Sequence, residues 1–358
     1  MGVEDKAAMR DAPRRSPRRA QLRDVAEMAG VSLSVASRAL NHEPSLRARA
    51  ETIERIRAAA RDLQYRPNIS GRSLRTRAVG AIGVILPDVN NPFFSDLLTG
   101  IEERCDALEI VPLIARAERL SDNPYLLRNL LAEGRVDGFL IQTTDVFPQH
   151  VLKALGADEV SSVFLVAAPA EARASVTFDD AAGIQVATCH LIDLGHTRIG
   201  FVGGLGGHAT AVTRRAAFES TLTAHGLTAD LRWVTEMGYA FEDGRAALGS
   251  ILTSETQPTA LVVATHNSAL GVLHEARLRN IEVPRSLSVV SLHDSLAAEH
   301  VWPALSAVRM PLRQLGASAV ELLVQLRNGA SGRHAIVDDP APRLVAREST
   351  ASVERNNV

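Results

Sequence analysis

At 358 residues the chain is too long for one compact core and implies two or three folded units. A hydrophobic content of 46% with 22% charged residues excludes an intrinsically disordered chain, and no apolar run is long enough to span a bilayer. Net charge is only −2, but residues 1–78 hold 17 Arg and Lys against 9 Asp and Glu, while the remainder holds 22 against 32, so a basic head precedes an acidic body and is expected to meet a polyanion: DNA, RNA or a membrane surface.

Residues 1–19 are polar and rich in Arg and Pro, with no apolar stretch of the kind a secretory signal carries. They read as a disordered basic arm. Three helical patterns then fill a head at 20–66. In the first, Leu22, Val25, Ala26 and Ala29 share one face. Gly30 sits where a helix ends in a left-handed residue, and Val31 should plug the corner behind it. Ser32 is a good N-cap for a second helix over 33–40, with Val35, Ala36, Ala39 and Leu40 inward. A third helix is expected over about 48–63, with Ile53, Ile56, Ala60 and Leu63 inward. Two short helices crossing at small residues over a tight glycine turn form a helix-turn-helix. Pro67 stops the third helix. Residues 67–78 are basic and polar, a hinge whose only large apolar residues are Ile69 and Leu74.

From residue 79 strands and helices alternate. Strands are expected at 81–86, 111–115, 138–141, 162–166, 199–203, 260–264 and 287–292. Helices are expected at 94–108, 181–194, 216–225, 241–252 and 268–279. This is repeated βαβ structure, hence parallel sheets covered on both faces. There are too many units for one sheet, so an α/β core of two lobes is expected, with a ligand at the C-terminal strand ends between them. The core runs over 79–350, and 351–358 form a short polar tail. Cys105 and Cys189 have no metal or redox spacing and suit a reducing compartment.

Several segments match one family in order and spacing. They are Leu22-Arg-Asp-Val-Ala-Glu-Met-Ala-Gly-Val-Ser32, Ala36-Ser-Arg-Ala-Leu-Asn41, Tyr65-Arg-Pro-Asn68, Arg72-Ser-Leu-Arg-Thr76, Pro87-Asp-Val-Asn-Asn-Pro-Phe-Phe94, Leu194-Gly-His-Thr-Arg-Ile-Gly200 and Arg347-Glu-Ser-Thr350. From about Gln21 to Thr350 the chain resembles the lactose/galactose-repressor (LacI/GalR) family of bacterial transcriptional regulators. The resemblance implies a helix-turn-helix head on a bilobed, periplasmic-binding-protein-like core. It implies a cytoplasmic homodimer, on the nucleoid when bound, that binds a palindromic operator with affinity modulated by a small molecule. No cofactor is implied, and repression is the family default.

Residue by residue, the resemblance places Arg38 at base edges, where a guanidinium pairs with guanine O6 and N7. Leu33 and Ser34 match positions that vary operator preference. Ser32, Ser37 and Asn41 resemble phosphate contacts, and Leu22 and Arg72 are placed at the DNA with them. Leu74 matches a leucine wedged into the minor groove at the operator centre. Gly71 replaces a more helix-favouring residue, so the hinge helix should form less readily, by roughly 1 kcal/mol.

The effector positions depart from the pattern. Phe93 and Phe94 match the aromatics of the pocket floor, and Asp179 matches a pocket carboxylate. Counting back from the Arg214–Phe218 stretch puts Val212 at the usual effector-binding Arg. Thr265-His266 stands for an Asn-Asp pair, and His293 for an Asp. Bidentate Arg and paired carboxylates suit polyhydroxyl ligands, so their loss argues against a simple sugar. Two imidazoles could take an anionic or mixed ligand, or make affinity pH-dependent. They lack a third ligand for a metal.

Three rival readings have discriminating features. An extracytoplasmic binding protein would carry a signal peptide and no DNA-reading head. An enzyme would need a nucleophile–base constellation, and Gly203-Gly-Leu-Gly-Gly207 matches neither a dinucleotide loop nor a P-loop. A general nucleoid-binding protein would show a flat sequence preference.

Overall fold

The computed structural model describes residues 20–40, 46–65, 79–89, 91–117, 129–130, 132–142, 160–169 and 172–353. The chain divides into two compact units, Met1–Val79 and Gly80–Val358.

The first unit holds α1 (Leu22–Met28), α2 (Leu33–Leu40) and α3 (Ala50–Asp62). Asp24 opens α1 by accepting the Gln21 backbone N–H at 2.7 Å. Gly30, at φ 63°, closes it. The Gly30 N–H then reaches the Glu27 carbonyl and the Val31 N–H the Ala26 carbonyl, which satisfies the open helix end. Ser32 caps α2, its Oγ accepting from the Val35 N–H at 3.3 Å. Val25, Ala26, Ala29, Ala36, Ala39, Ile56, Ala59 and Ala60 make a core of mostly small side chains, with Val31, Val35, Leu40 and Leu63 packed against it. The third helix differs from expectation: it begins at Ala50, and Ala59 takes a core position while Ile53 is only half-buried. The basic arm, Asn41 and the hinge lie outside the described residues.

The second unit is built on two six-stranded sheets. The first contains β1 (Ala81–Leu86), β2 (Val111–Arg116), β3 (Phe139–Gln142), β4 (Ser162–Leu165), β5 (Ser175–Phe178) and β11 (His334–Val337). All of its pairings are parallel, in the order β11-β5-β4-β3-β1-β2. The second contains β6 (Ile199–Gly203), β7 (Val234–Glu236), β8 (Ala260–Val263), β9 (Ser288–Leu292), β10 (Ser306–Arg309) and β12 (Arg343–Val345). Its order is β12-β10-β9-β8-β6-β7, and only the β10–β12 pair is antiparallel. The central strands are continuous apolar runs buried on both faces, as parallel sheets require.

Among the described residues the helices of this unit are α4 (Phe93–Ala107), α5 (Asp180–Asp193), α6 (Ala209–Ala224), α7 (Phe241–Ile251), α8 (His266–Leu278), α9 (Leu296–His300) and α10 (Leu312–Arg327). Helix α10 packs on α4, β3, β4 and β5, whereas α5 packs on β8, β9, β10 and β12. The chain therefore changes lobe after β5, again between β10 and α10, and again between β11 and β12. Strand order reverses between β1 and β3 in one lobe and between β6 and β8 in the other. Ligands bind at such switch points, outside the carboxyl ends of the strands.

Two of the landmark motifs serve this architecture. The buried His196 meets Thr259 Oγ1 through Nδ1 at 2.9 Å, and through Nε2 it meets Ser288 Oγ and the Ala351 carbonyl, each at 3.1 Å. Ser349 Oγ accepts from the Ser306 N–H at 2.8 Å and donates to the Val289 carbonyl at 2.6 Å. The Gly-His segment and the Glu-Ser-Thr segment thus pin the end of the chain across the second sheet. A buried polar network of this kind is satisfied only in one register.

Candidate nucleic-acid interface and ligand cleft

On the head, α2 turns Ala36 and Ala39 inward, at 0% and 3% exposure. The opposite face carries Ser34 and Arg38, one turn apart, with Leu33 beside them. Leu33 is 52% exposed. Ser32 and Ser34 are exposed, and Ser37 and Arg38 half-buried. Arg38 Nε lies 3.4 Å from the Ser34 carbonyl, which aligns the side chain along the helix. Arg55 of α3 donates to the Ala29 carbonyl at 2.9 Å and braces α1 against α3. Leu22 packs its side chain against the head core. Arg72 and Leu74, like Asn41, lie outside the described residues.

In the core, Phe93 and Phe94 open α4 beyond the end of β1. They are a helical step apart and diverge. Phe94 is 2% exposed in the first lobe's interior, while Phe93 meets it edge-on with centroids 5.0 Å apart. Phe93 also meets His293, at the end of β9 in the other lobe, with centroids 4.5 Å apart. Phe178, at the end of β5, approaches the same imidazole at 5.6 Å. His293 stands at φ 71°, a left-handed backbone that non-glycine residues adopt at a cost and that clusters at functional sites.

Where the sequence places Val212 and no guanidinium, a guanidinium enters the cluster from two residues further along. Val212 is 57% exposed, whereas Arg214 is 3% exposed and faces the cluster. Residues two apart on a helix point in nearly opposite directions, so only one can be inward. Arg214 Nε donates to Asp180 Oδ1 at 2.6 Å, Nη1 donates to the Ala264 carbonyl at 3.1 Å, and Nη2 lies 3.4 Å from His293 Nε2. The carboxylate differs from expectation too. Asp179 is exposed and caps α5, its Oδ1 accepting from the Ala182 N–H at 2.9 Å. The next residue, Asp180, turns inward to Arg214. Burial pushes the Asp180 carboxyl up, against the pull of the Arg214 charge and hydrogen bond.

Thr265 is the N-cap of α8. Its Oγ1 accepts from the Ser268 N–H at 3.3 Å and donates to the Tyr239 carbonyl at 3.2 Å. Tyr239 was not singled out in the sequence. Its ring lies against Gly204, where a Cβ would run into it, and its hydroxyl meets Thr210 Oγ1 at 3.1 Å. Gly204, just after β6, is therefore a seat for an aromatic side chain.

His266 follows Thr265 and is 1% exposed, with Nε2 at 3.2 Å from Ser295 Oγ. Burial pushes its pKa down to about 4, against the pull of Asp294 and with the push of Arg347. Asp294 sits between Arg309, whose Nε donates at 3.0 Å, and Arg347, whose Nη1 donates at 2.7 Å. Burial alone would raise its carboxyl, but the two arginines hold it below the usual range. Arg309 precedes the second lobe crossing and Arg347 follows the third, so one carboxylate beside His293 ties two hinge segments.

The buried neutral His266 has a stability consequence. Its folded-state pKa is below the unfolded value near 6.5, so the unfolded chain takes up the proton first as pH falls. Stability is complete above pH 6.5 and declines towards pH 4, by about 2 kcal/mol at pH 5 from this group alone. Burial, with Arg214 and His266 beside it, pushes His293 well down as well, and adds in the same direction. Urea unfolding at pH 7.5 and pH 5 should therefore show a smaller difference in His266→Gln than in the parent. An unchanged difference would contradict a neutral His266.

Among the described residues no three His, Cys, Asp or Glu side chains gather to hold a metal ion, and no helix is long and apolar enough to cross a membrane.

Comparison with known proteins agrees with both halves. Residues 21–68 match the family profile described as bacterial regulatory proteins, lacI family, and residues 188–350 match a periplasmic binding protein-like domain. Catabolite control protein A of Priestia megaterium is 31% identical over 330 residues, covering 91% of this chain and 98% of that protein. The HTH-type transcriptional repressor PurR of Haemophilus influenzae (strain PittEE) is 28% identical, covering 93% and 99%. Among solved structures, a LacI family transcriptional regulator from Mycobacterium smegmatis matches with TM-score 0.70 and 35% identity over 76% of this chain and 99% of its own. The lac repressor dimer bound to operator and the anti-inducer ONPF matches with TM-score 0.75 and 26% identity, covering 93% and 100%.

Proposed function

Because this chain belongs to the lacI family of bacterial DNA-binding transcriptional regulators, we propose that it is a cytoplasmic repressor that binds a palindromic operator as a homodimer, with affinity set by a small molecule in the cleft of its core. The observation that carries the DNA half is the outer face of α2. It offers an arginine, serines and an exposed leucine on a helix whose inner face is fixed by alanines. A helix so braced enters a major groove as a rigid body, and two copies related by a two-fold axis read two half-sites. Arg38 reads a guanine, Leu33 meets a thymine methyl, and Ser32, Ser37 and Asn41 set register on phosphates. In the hinge, Arg72 contacts the backbone and Leu74 wedges a central base step.

The effector half is supported by Phe93, Phe178, Asp180, Arg214 and His293 meeting where the two lobes adjoin. A ligand that binds there touches both lobes and alters their equilibrium arrangement. The relatives are transcriptional regulators rather than enzymes, and the dimer recorded for the lac repressor on its operator supports the same assembly here.

A binding selection from a random double-stranded DNA pool, with full-length protein at near-physiological salt, tests this. A palindrome with a pyrimidine–purine step at its centre is the expected product. A flat or single half-site preference would contradict a dimeric, hinge-wedging repressor.

A further inference from the structure

We propose that the cleft is built for an uncharged ligand that accepts a hydrogen bond from His293 Nδ1–H, and that it discriminates against anions. The proposal rests on the cleft being the effector site. A guanidinium has only donors, so the Arg214 Nη2 that faces His293 Nε2 at 3.4 Å fixes Nε2 as the acceptor. The imidazole is then neutral and carries its hydrogen on Nδ1. That atom is fully buried and has no hydrogen-bond partner among the described residues. Phe93 and Phe178 hold the ring edge-on from the other lobe, so it is not free to turn Nδ1 towards a partner elsewhere. An unmet buried donor on a residue in a left-handed conformation is a double cost, tolerated where a ligand meets the donor.

The charges then decide the ligand class. The Arg214 charge is already matched by Asp180 at 2.6 Å, with both side chains less than a tenth exposed. A second of its nitrogens is bonded to the Ala264 carbonyl. An anion placed beside His293 would lose its hydration, face the Asp180 carboxylate, and find the guanidinium already committed. A carbonyl, ether or hydroxyl oxygen, or a ring nitrogen, satisfies Nδ1–H without burying a charge. On composition alone two imidazoles leave an anion open; their surroundings reverse that.

The test uses full-length protein with nitrogen-15 in its histidines, and long-range proton–nitrogen spectra with the His293 signals assigned through His293→Phe. In the free protein the spectra should show a protonated Nδ1 and an unprotonated Nε2. Two isosteric pairs are then titrated: benzamide against benzoate, and nicotinamide against nicotinate. The amides should move the Nδ1 signal and bind at least about tenfold more tightly than the acids, and His293→Phe, which keeps ring packing without the donor, should lose that preference. A protonated Nε2, acids that bind at His293 as well as amides, or amides that leave the Nδ1 signal unmoved at solubility would each overturn the proposal. Amides that move Nδ1 while operator affinity stays constant would support the ligand class and count against the effector reading.

Discussion

Arg38→Ala should lower the preference for the selected operator over random DNA by about 5- to 150-fold, the equivalent of the roughly 1–3 kcal/mol that one bidentate base contact discriminates. Affinity for random DNA should fall far less, because non-specific binding comes from phosphates and Arg38 supplies at most one such contact. The expectation follows from the phase of α2. Ala36 and Ala39 are in the core, so Arg38 is held on the outer face one turn beyond Ser34. No core atom is removed, and the head should keep its stability within about 0.5 kcal/mol. The check is a pair of titrations, operator and random duplex, at two salt concentrations. Equal losses on both duplexes, with a shallower salt slope, would make Arg38 a phosphate contact and pass the reading role to its neighbours.

The head was legible because its chemistry is local. A left-handed glycine, a serine cap and small residues at a helix crossing are each visible in a few consecutive positions, and Gly30, Ser32 and Ala36 stand as expected. The long apolar strands were legible for the same reason. Strands β5, β7, β10, β11 and β12 were not, because they are three or four residues long and interleave Ser, Thr, Arg or His with their apolar positions. Their pairing is fixed by neighbours distant in sequence, which override local preference. The cleft departs from the sequence expectation for a physical reason. Helix α6 begins at Ala209, ahead of the expected 216, so the facing of Val212 and Arg214 is set by helical phase and not by position along the chain. Ala211, Arg214, Phe218 and Leu222 lie on one face, a row that would have turned Arg214 inward and Val212 out. Asp180 was hidden by its neighbour. In an Asp-Asp doublet at a strand end one carboxylate caps the next helix and the other is free to turn inward, and composition does not say which.

Breaking that inward pair from one side should cost the core much of its stability. Asp180→Asn keeps the shape of the side chain but leaves Arg214 charged, 4% exposed and without its counter-ion. Breaking a buried pair from one side costs about 3–5 kcal/mol, because the desolvated partner loses the field that compensated it. Removing both charges in Asp180→Asn with Arg214→Met should cost less than Asp180→Asn alone, since no orphaned cation is left. Trp233 and Trp302, the only tryptophans, both lie in the core unit, so urea unfolding followed by fluorescence reports that unit. A loss under about 1 kcal/mol for Asp180→Asn would mean that water reaches Arg214 and that the pair is not buried in solution. The same variants separate stability from recognition. Operator preference should survive in any of them that remains folded, because Arg38 and its face belong to the other unit. Ligand binding should not survive, because Asp180 also orients the guanidinium that fixes the His293 ring.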